Sequence, residues 1–296
     1  MLLTDSHCHI DFDNFSNELA SLLKQCYLQG IHRIVVPSIA PKNWQKVLEL
    51  STYNKVIPSC SNISNKNKNQ QSYGASCQLF PCLGIHPWFL NDLDESVLAQ
   101  LTSLVAKYTD DIVAIGETGI DKVIAQNNNN LDKQITFFEH QLSLSNQYNL
   151  PIIVHHRRSH DIIIPILKKH KPQANGVIHA FSGSYQQAKA YIDLGFKLGV
   201  GGTLTYERAQ KTIKAIKKVP LESLLLETDA PSMPLQGHQG EDNSPLRLID
   251  ILKCLTEIRC ESVDKMAQAI EINIDNLFFS RRPKALPTKT IQTSSQ

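Results

Sequence analysis

Residues 2–11 read Leu-Leu-Thr-Asp-Ser-His-Cys-His-Ile-Asp, a short apolar run that meets a carboxylate and then a His-X-His pair. A doubly wound α/β sheet of the dinucleotide-binding kind carries Gly-X-Gly-X-X-Gly after its first strand, where backbone amides cradle a phosphate. Here His7 and His9 stand in that place, so the alternation of strands and helices has to close in another way. Seven further runs follow: Arg33 to Pro37, Phe80 to Ile85, Ile112 to Gly116, Ile152 to Val154, Val177 to His179, Phe196 to Val200 and Leu224 to Leu226. Segments of helical period lie between them, at about 14–29, 41–53, 94–108, 131–149, 160–170, 184–194 and 205–218. Two more, at about 245–258 and 262–279, follow the last run. With Leu2 to Asp5 the runs number eight, and eight strands each followed by a helix predict a single-domain (β/α)8 TIM barrel over residues 1–280.

A chain of 296 residues accommodates one such barrel of roughly 250 residues with decoration. Hydrophobic residues at 42% and charged residues at 20% supply a core and exclude a disordered chain. Thirty basic against 28 acidic residues leave a net charge of +2 with no block of five like charges, which excludes a basic arm wrapped on nucleic acid but not a nucleic-acid-processing site. No apolar stretch approaches the ~20 residues that span a bilayer. The start reaches Asp5 and His7 with no basic segment and no long apolar one, so no signal peptide is visible and a cytoplasmic location is expected. Seven cysteines without a Cys-X-X-Cys pair fit a reduced compartment. Ser61 to Gln78 is a polar insertion expected on the face away from the barrel mouth, Gln126 to Asn130 a polar tract at the mouth, and Arg281 to Gln296 a flexible tail.

Residues of metal-ligand type stand where six of the eight runs end. Alternation puts His7 and His9 on the same side of the chain, able to face one ion. The fourth run ends in Gly116-Glu117-Thr118-Gly119-Ile120-Asp121, the fifth in His155-His156-Arg157-Arg158, the sixth in His179-Ala180-Phe181-Ser182-Gly183, and the eighth in Glu227-Thr228-Asp229-Ala230-Pro231. Together they bring four His, one Glu and one Asp to one rim, a nitrogen and oxygen set suited to divalent transition metals. Of the neighbours His155 and His156 only one can line the mouth, because adjacent strand residues face opposite ways. His86, closing the third run in Gly84-Ile85-His86-Pro87-Trp88, and Arg157 are read as contacts to a substrate phosphate. Gly201 and Gly202 fall where barrels often build a phosphate site from amides. Asp11 to Asn14 lacks the glycine and glutamate of a calcium loop, Cys8 faces away from the two histidines, and His32, His140, His160, His170 and His238 share no spacing.

From His7 to about Phe279 the chain resembles the TatD family of metal-dependent hydrolases, within the amidohydrolase-like barrels. The resemblance is carried by DSHCHID at 5–11, GIHPW at 84–88, GETGID at 116–121, LPIIVHHRRSHD at 150–161, GVIHAFSGS at 176–184 and LLLETDAP at 224–231. With GVGGTLTYERA at 199–209 it is most similar to the YjjV-like branch. The resemblance implies His7, His9, Glu117, His155, His179 and Asp229 as ligands of two divalent cations (Zn, Mn, Mg or Co). Glu117 would bridge them, His7, His9 and Asp229 holding one and His155 and His179 the other. His155 is preferred over His156 because it precedes the arginine pair with the family's His-X-Arg spacing. His156 stands where a small polar residue is usual, Thr118 where an aliphatic one is common, and the 61–78 insertion is longer than typical. The implied activity is phosphodiester hydrolysis, DNase-like and from a 3′ end, with Asp229 accepting the proton of the attacking water. DNA would be a transient partner, with no membrane and no obligate protein partner. The alternatives are an ester or amide hydrolase, such as an aminoacyl-tRNA deacylase, and a non-catalytic metal-binding scaffold. Many amidohydrolases bridge their ions with a modified lysine after the fourth strand, where this chain has Glu117.

Overall fold

The computed structural model describes residues 2–56 and 76–280. Its strands are β1 (Leu3–Asp5), β2 (Ile31–Pro37), β3 (Gln78–Leu83), β4 (Ala114–Asp121), β5 (Ile152–Arg157), β6 (Gly176–Ile178), β7 (Lys197–Val200) and β8 (Leu224–Leu226). Each pairs in parallel with the next in chain order. The ring closes where the Ser6 amide donates to the Leu226 carbonyl at 2.9 Å and the Asp229 amide to the His7 carbonyl at 2.9 Å. This is the (β/α)8 barrel that the run pattern predicts. Strands covered on both sides read as continuous apolar runs rather than alternating ones. Ile34, Val35 and Val36 of β2 and Leu224, Leu225 and Leu226 of β8 are accordingly fully buried. Each such side chain contributes roughly 1.5–3 kcal/mol of burial.

The helices are α1 (Asp13–Ser16), α2 (Leu19–Leu28), α3 (Pro41–Leu50), α4 (Ser96–Tyr108), α5 (Lys122–Asn128), α6 (Leu131–Tyr148), α7 (His160–His170), α8 (Tyr185–Ile192), α9 (Gln210–Lys218), α10 (Leu248–Arg259) and α11 (Val263–Ile274). In α9 the lysines face water while Thr212, Ala215 and Ile216 are buried, the stripe a barrel helix needs. The last helix is tied to the far end of the barrel: Glu271 accepts from the Thr4 amide at 2.6 Å and pairs with Arg33 at 2.7 Å.

The polar tract at 126–130 is partly helical: Asn130 is the residue that precedes α6, Asn129 caps the end of α5, and Gln126 to Asn128 form the last turn of α5. The helix begins because the Asp121 carboxylate accepts from the amides of Val123 and Ile124, and it stops at Asn129, whose φ of +50° lies in the left-handed region. The fourth strand does not end at Gly116 but runs on to Asp121. Gln78 of the expected insertion opens β3. The rest of that insertion, to residue 75, and the 281–296 tail lie outside the described residues.

Candidate metal centre at the barrel mouth

Every candidate residue reaches the same rim by a distinct local device. His7 and His9 follow β1 directly, held by amide bonds from Cys8 to the Val35 carbonyl and from His9 to the Ala230 carbonyl. On β4, Ile115 pairs with Ile152 but Thr118 with Val154, so one extra residue is accommodated at Gly116 and Glu117. A bulge of this kind re-aims side chains beside active sites, and here Glu117 turns into the mouth. Beyond it Gly119 pairs with His155; its φ is +146°, and a Cβ there would come within 2.9 Å of the His155 carbonyl carbon, so only glycine fits. His179 follows β6 and Asp229 follows β8.

These residues converge on Glu117, which is 2% exposed. Its Oε2 lies 3.2 Å from His7 Nε2 and 3.4 Å from His9 Nε2. Its Oε1 lies 3.1 Å from His155 Nδ1, 3.3 Å from His86 Nε2 and 3.8 Å from His179 Nε2. One oxygen thus serves one pair of imidazoles and the other oxygen a second group. Asp229 closes the ring from β8, with Oδ1 at 3.7 Å from His7 Nε2 and 3.6 Å from His9 Nε2, and Oδ2 at 3.7 Å from His179 Nε2. Three sets of donor atoms, from His7, His9 and Glu117, from His7, His179 and Asp229, and from His86, Glu117 and His155, each gather within 4.8 Å. The set can hold divalent cations.

The far side of each ring decides what its near nitrogen can do. His9 Nδ1 faces the Pro37 carbonyl at 3.3 Å, His155 Nε2 the Asp121 carboxylate at 3.4 Å, and His179 Nδ1 the Glu227 carboxylate at 2.9 Å. The His179 contact is off the line of a straight hydrogen bond, so it acts chiefly as an ion pair. With the proton assigned to the outer nitrogen in each case, the inner nitrogen presents a lone pair to the centre, the arrangement usual for a metal-ligating histidine. His86 is wired the other way. The Trp88 amide donates to its Nδ1 at 3.1 Å, so in the neutral ring Nε2 carries the proton and acts as a donor.

Electrostatics follow the same division. Burial opposes charge on Glu117, but His86, His7, His179 and the bond from His155 hold its carboxyl well below the usual range. Burial also opposes the charged form of His179, yet the carboxylates of Glu227, Asp229 and Glu117 raise that imidazole to about 10. Burial lowers His86 to about 4 and keeps it neutral.

His155 is the neighbour that reaches Glu117. His156 turns its ring to His160 at 4.5 Å between centroids and accepts from the Ser182 amide at 3.4 Å, although its edge still lines the cavity wall. Arg157 is half-exposed, with Nη1 3.8 Å from Asp121. Gly201 and Gly202 do not line the cavity. Cys8 is buried, its thiol turned to the Ala230 carbonyl. Three residues gain importance that the sequence pattern does not assign: Asp121 behind His155, Glu227 behind His179, and Trp88, whose indole N–H donates to Asp121 at 2.6 Å. Glu227 alone leaves a trace in the sequence, two residues before Asp229 and so on the same side of an extended chain.

Above these groups opens a cavity of about 400 Å³, lined also by Phe12, Trp88, Phe89, Ser182, Thr203 and Met233. Residues 4–279 match the family model of TatD related DNases. The chain belongs to the TatD family of metal-dependent hydrolases. It is 39% identical over 274 residues to the uncharacterized metal-dependent hydrolase YjjV of Escherichia coli K12, covering 93% of this chain and 96% of that protein. An uncharacterized metal-dependent hydrolase of Haemophilus influenzae is 34% identical over 278 residues, 93% of this chain and 98% of the relative. The crystal structure of the YjjV protein superposes with a TM-score of 0.82 at 38% identity, covering 93% of this chain and 97% of that one. The TatD family hydrolase of Entamoeba histolytica, at 22% identity and a TM-score of 0.78, shares the fold over 94% of this chain and 98% of its own.

Proposed function

We propose that this TatD-family barrel hydrolyses phosphodiesters, as a DNase-like enzyme acting from a 3′ end, with two divalent cations bridged by Glu117. The observation that carries the reading is the division of the Glu117 carboxylate, one oxygen toward His7 and His9 and the other toward His155 and His179. On this reading Asp229 completes the first set and His179 the second. Cations held there would lower the pKa of a water toward about 7 and offset charge on the phosphoryl oxygens. Asp229, with a side chain 13% exposed against 2% for Glu117, lines the cavity and takes the proton as water attacks phosphorus. The ester P–O bond to the leaving nucleotide breaks, and its alkoxide takes up a proton, from Asp229 or solvent, to leave as the alcohol. The Nε2–H of neutral His86 and the guanidinium of Arg157 donate to the non-bridging oxygens, where negative charge builds in the transition state. Glu227 and Asp121 hold His179 and His155 in register and move no proton. The small net charge suits a short or single-stranded end rather than a long duplex.

The test is a panel of phosphodiester, carboxylic ester and amide substrates, assayed with chelated protein and after return of Zn, Mn, Mg or Co. Metal-dependent turnover of a single-stranded oligonucleotide from its 3′ end is expected. Turnover confined to esters or amides would move the protein to the aminoacyl-tRNA deacylase kind of reaction, and metal binding without turnover would leave a scaffold.

A further inference from the structure

Trp88 is exposed where an aromatic ring gains little from folding. It is 48% exposed, whereas the chain's other tryptophan, Trp44, is 4% exposed with its indole N–H on the Gly84 carbonyl. Yet the ring is not loose. Its Nε1–H donates at 2.6 Å to Oδ2 of fully buried Asp121, and its backbone amide donates to His86 Nδ1. The backbone is therefore fixed by His86 of the cavity and the side chain by Asp121 behind His155, and the indole lines that cavity. Its contacts with the His86 and His155 rings are T-shaped, at 5.3 Å and 87° and at 6.1 Å and 76°. Among the described residues no ring is stacked parallel against it.

The same Asp121 oxygen that anchors the indole lies 3.8 Å from Arg157 Nη1. One buried carboxylate thus sets a flat aromatic surface and a guanidinium side by side at the mouth. A ligand that uses both carries a π face next to a phosphodiester, which is the chemistry of a nucleotide. We propose that Trp88 is a stacking platform for the nucleobase beside the bond to be broken, so that the cavity selects base-bearing phosphodiesters. The inference rests on the phosphodiester reading above and adds a specificity-determining residue to it. Stacking on an exposed aromatic changes affinity by about 5- to 150-fold per base.

The experiment uses the full chain with chelator, so that nothing turns over, and two probes: a single-stranded DNA trinucleotide and the same molecule with an abasic 3′ terminus. Tryptophan emission is expected to be quenched by the first probe and not by the second, with the quench lost in Trp88→Phe because Trp44 is buried. Anisotropy titrations are expected to show the base-bearing probe binding about 5-fold or more tighter than the abasic one. That preference should collapse in Trp88→Leu and persist in Trp88→Phe, which keeps a ring but loses the N–H. Equal binding of the two probes, no binding of either, or loss of the preference in Trp88→Phe as complete as in Trp88→Leu would overturn the platform. Turnover by the metal-loaded protein reports separately: base-dependent binding without phosphodiester hydrolysis refutes the reaction and keeps the platform, and hydrolysis indifferent to the terminal base does the reverse.

Discussion

Gly199 makes room for the carboxylate behind His179, and a single methyl group there tests how much that carboxylate does. A Cβ on Gly199 would overlap Glu227 Oε2 and lie 2.6 Å from its Cδ and 2.7 Å from its Oε1. Glu227 is 1% exposed and has little space to retreat: Oε1 accepts from the Ala180 amide at 2.5 Å and faces His179 Nδ1 at 2.9 Å. In Gly199→Ala either β7 shifts, an overpacking cost of about 1–3 kcal/mol, or the carboxylate leaves Ala180 and His179, forfeiting charge-assisted contacts of about 1.5–3 kcal/mol. Both routes place the loss near 2 kcal/mol. The second also frees the His179 ring, which is expected to weaken divalent metal binding about 10- to 100-fold. Urea unfolding of chelated protein reads the first quantity and metal titration the second. Glu227→Ala removes the obstacle, so adding Gly199→Ala in that background should cost less than about 0.5 kcal/mol beyond Glu227→Ala alone. An equal cost of Gly199→Ala in both backgrounds would refute the idea that this glycine exists to seat Glu227.

The two adjacent histidines should separate cleanly. His155→Ser is expected to lower metal content, whereas His156→Ser should keep metal content and lose about 1–3 kcal/mol of stability, read by metal analysis and urea unfolding of each variant. Full metal in His155→Ser with loss in His156→Ser would reverse the facing of β5. Metal binding should also depend on pH in a definite sense. The metal-free His179 imidazole is raised from 6.5 to about 10, so its ion pairs stabilise the apo-protein in full below pH 6.5 and fade as pH rises through about 10. A cation needs that ring neutral, so its apparent affinity is expected to rise between pH 7 and 9, by about tenfold per unit for one proton displaced. Competition titrations with a calibrated chelator check this, and a flat profile would contradict it.

Much of the fold and rim was legible because a parallel barrel writes its strands as aliphatic runs and ends them with polar residues. The His7 and His9 pair is visible for the same reason, since two-residue spacing is the period of an extended chain. The orientation of Glu117 was not legible, because it depends on one extra residue at Gly116 and Glu117 in the pairing of β4 with β5, and periodicity within one strand does not record its register against another. Helix α5 was hidden because Gln126 to Asn128 give it a polar last turn; what starts it is a single cap at Asp121. Asp121 and Glu227 support histidines 34 and 48 residues away, so no local pattern gives their partners, and only the two-residue spacing of Glu227 from Asp229 hints at a place in the site. Trp88 carries no apolar periodicity, because its ring is used at the surface.

Glu117 and Asp229 have different duties under the bridged reading, and measuring metal content and single-turnover oligonucleotide hydrolysis in the same samples of Glu117→Ala and Asp229→Asn tests that most directly. Two cations ~3.5–4 Å apart need an anion between them, so Glu117→Ala is expected to lose metal along with rate. Asp229→Asn keeps an oxygen but no basic site, so it is expected to retain most of its metal while losing hydrolysis by about 10²-fold or more. Full metal occupancy in Glu117→Ala, or near wild-type hydrolysis in Asp229→Asn, would contradict the bridge or the proton acceptor respectively.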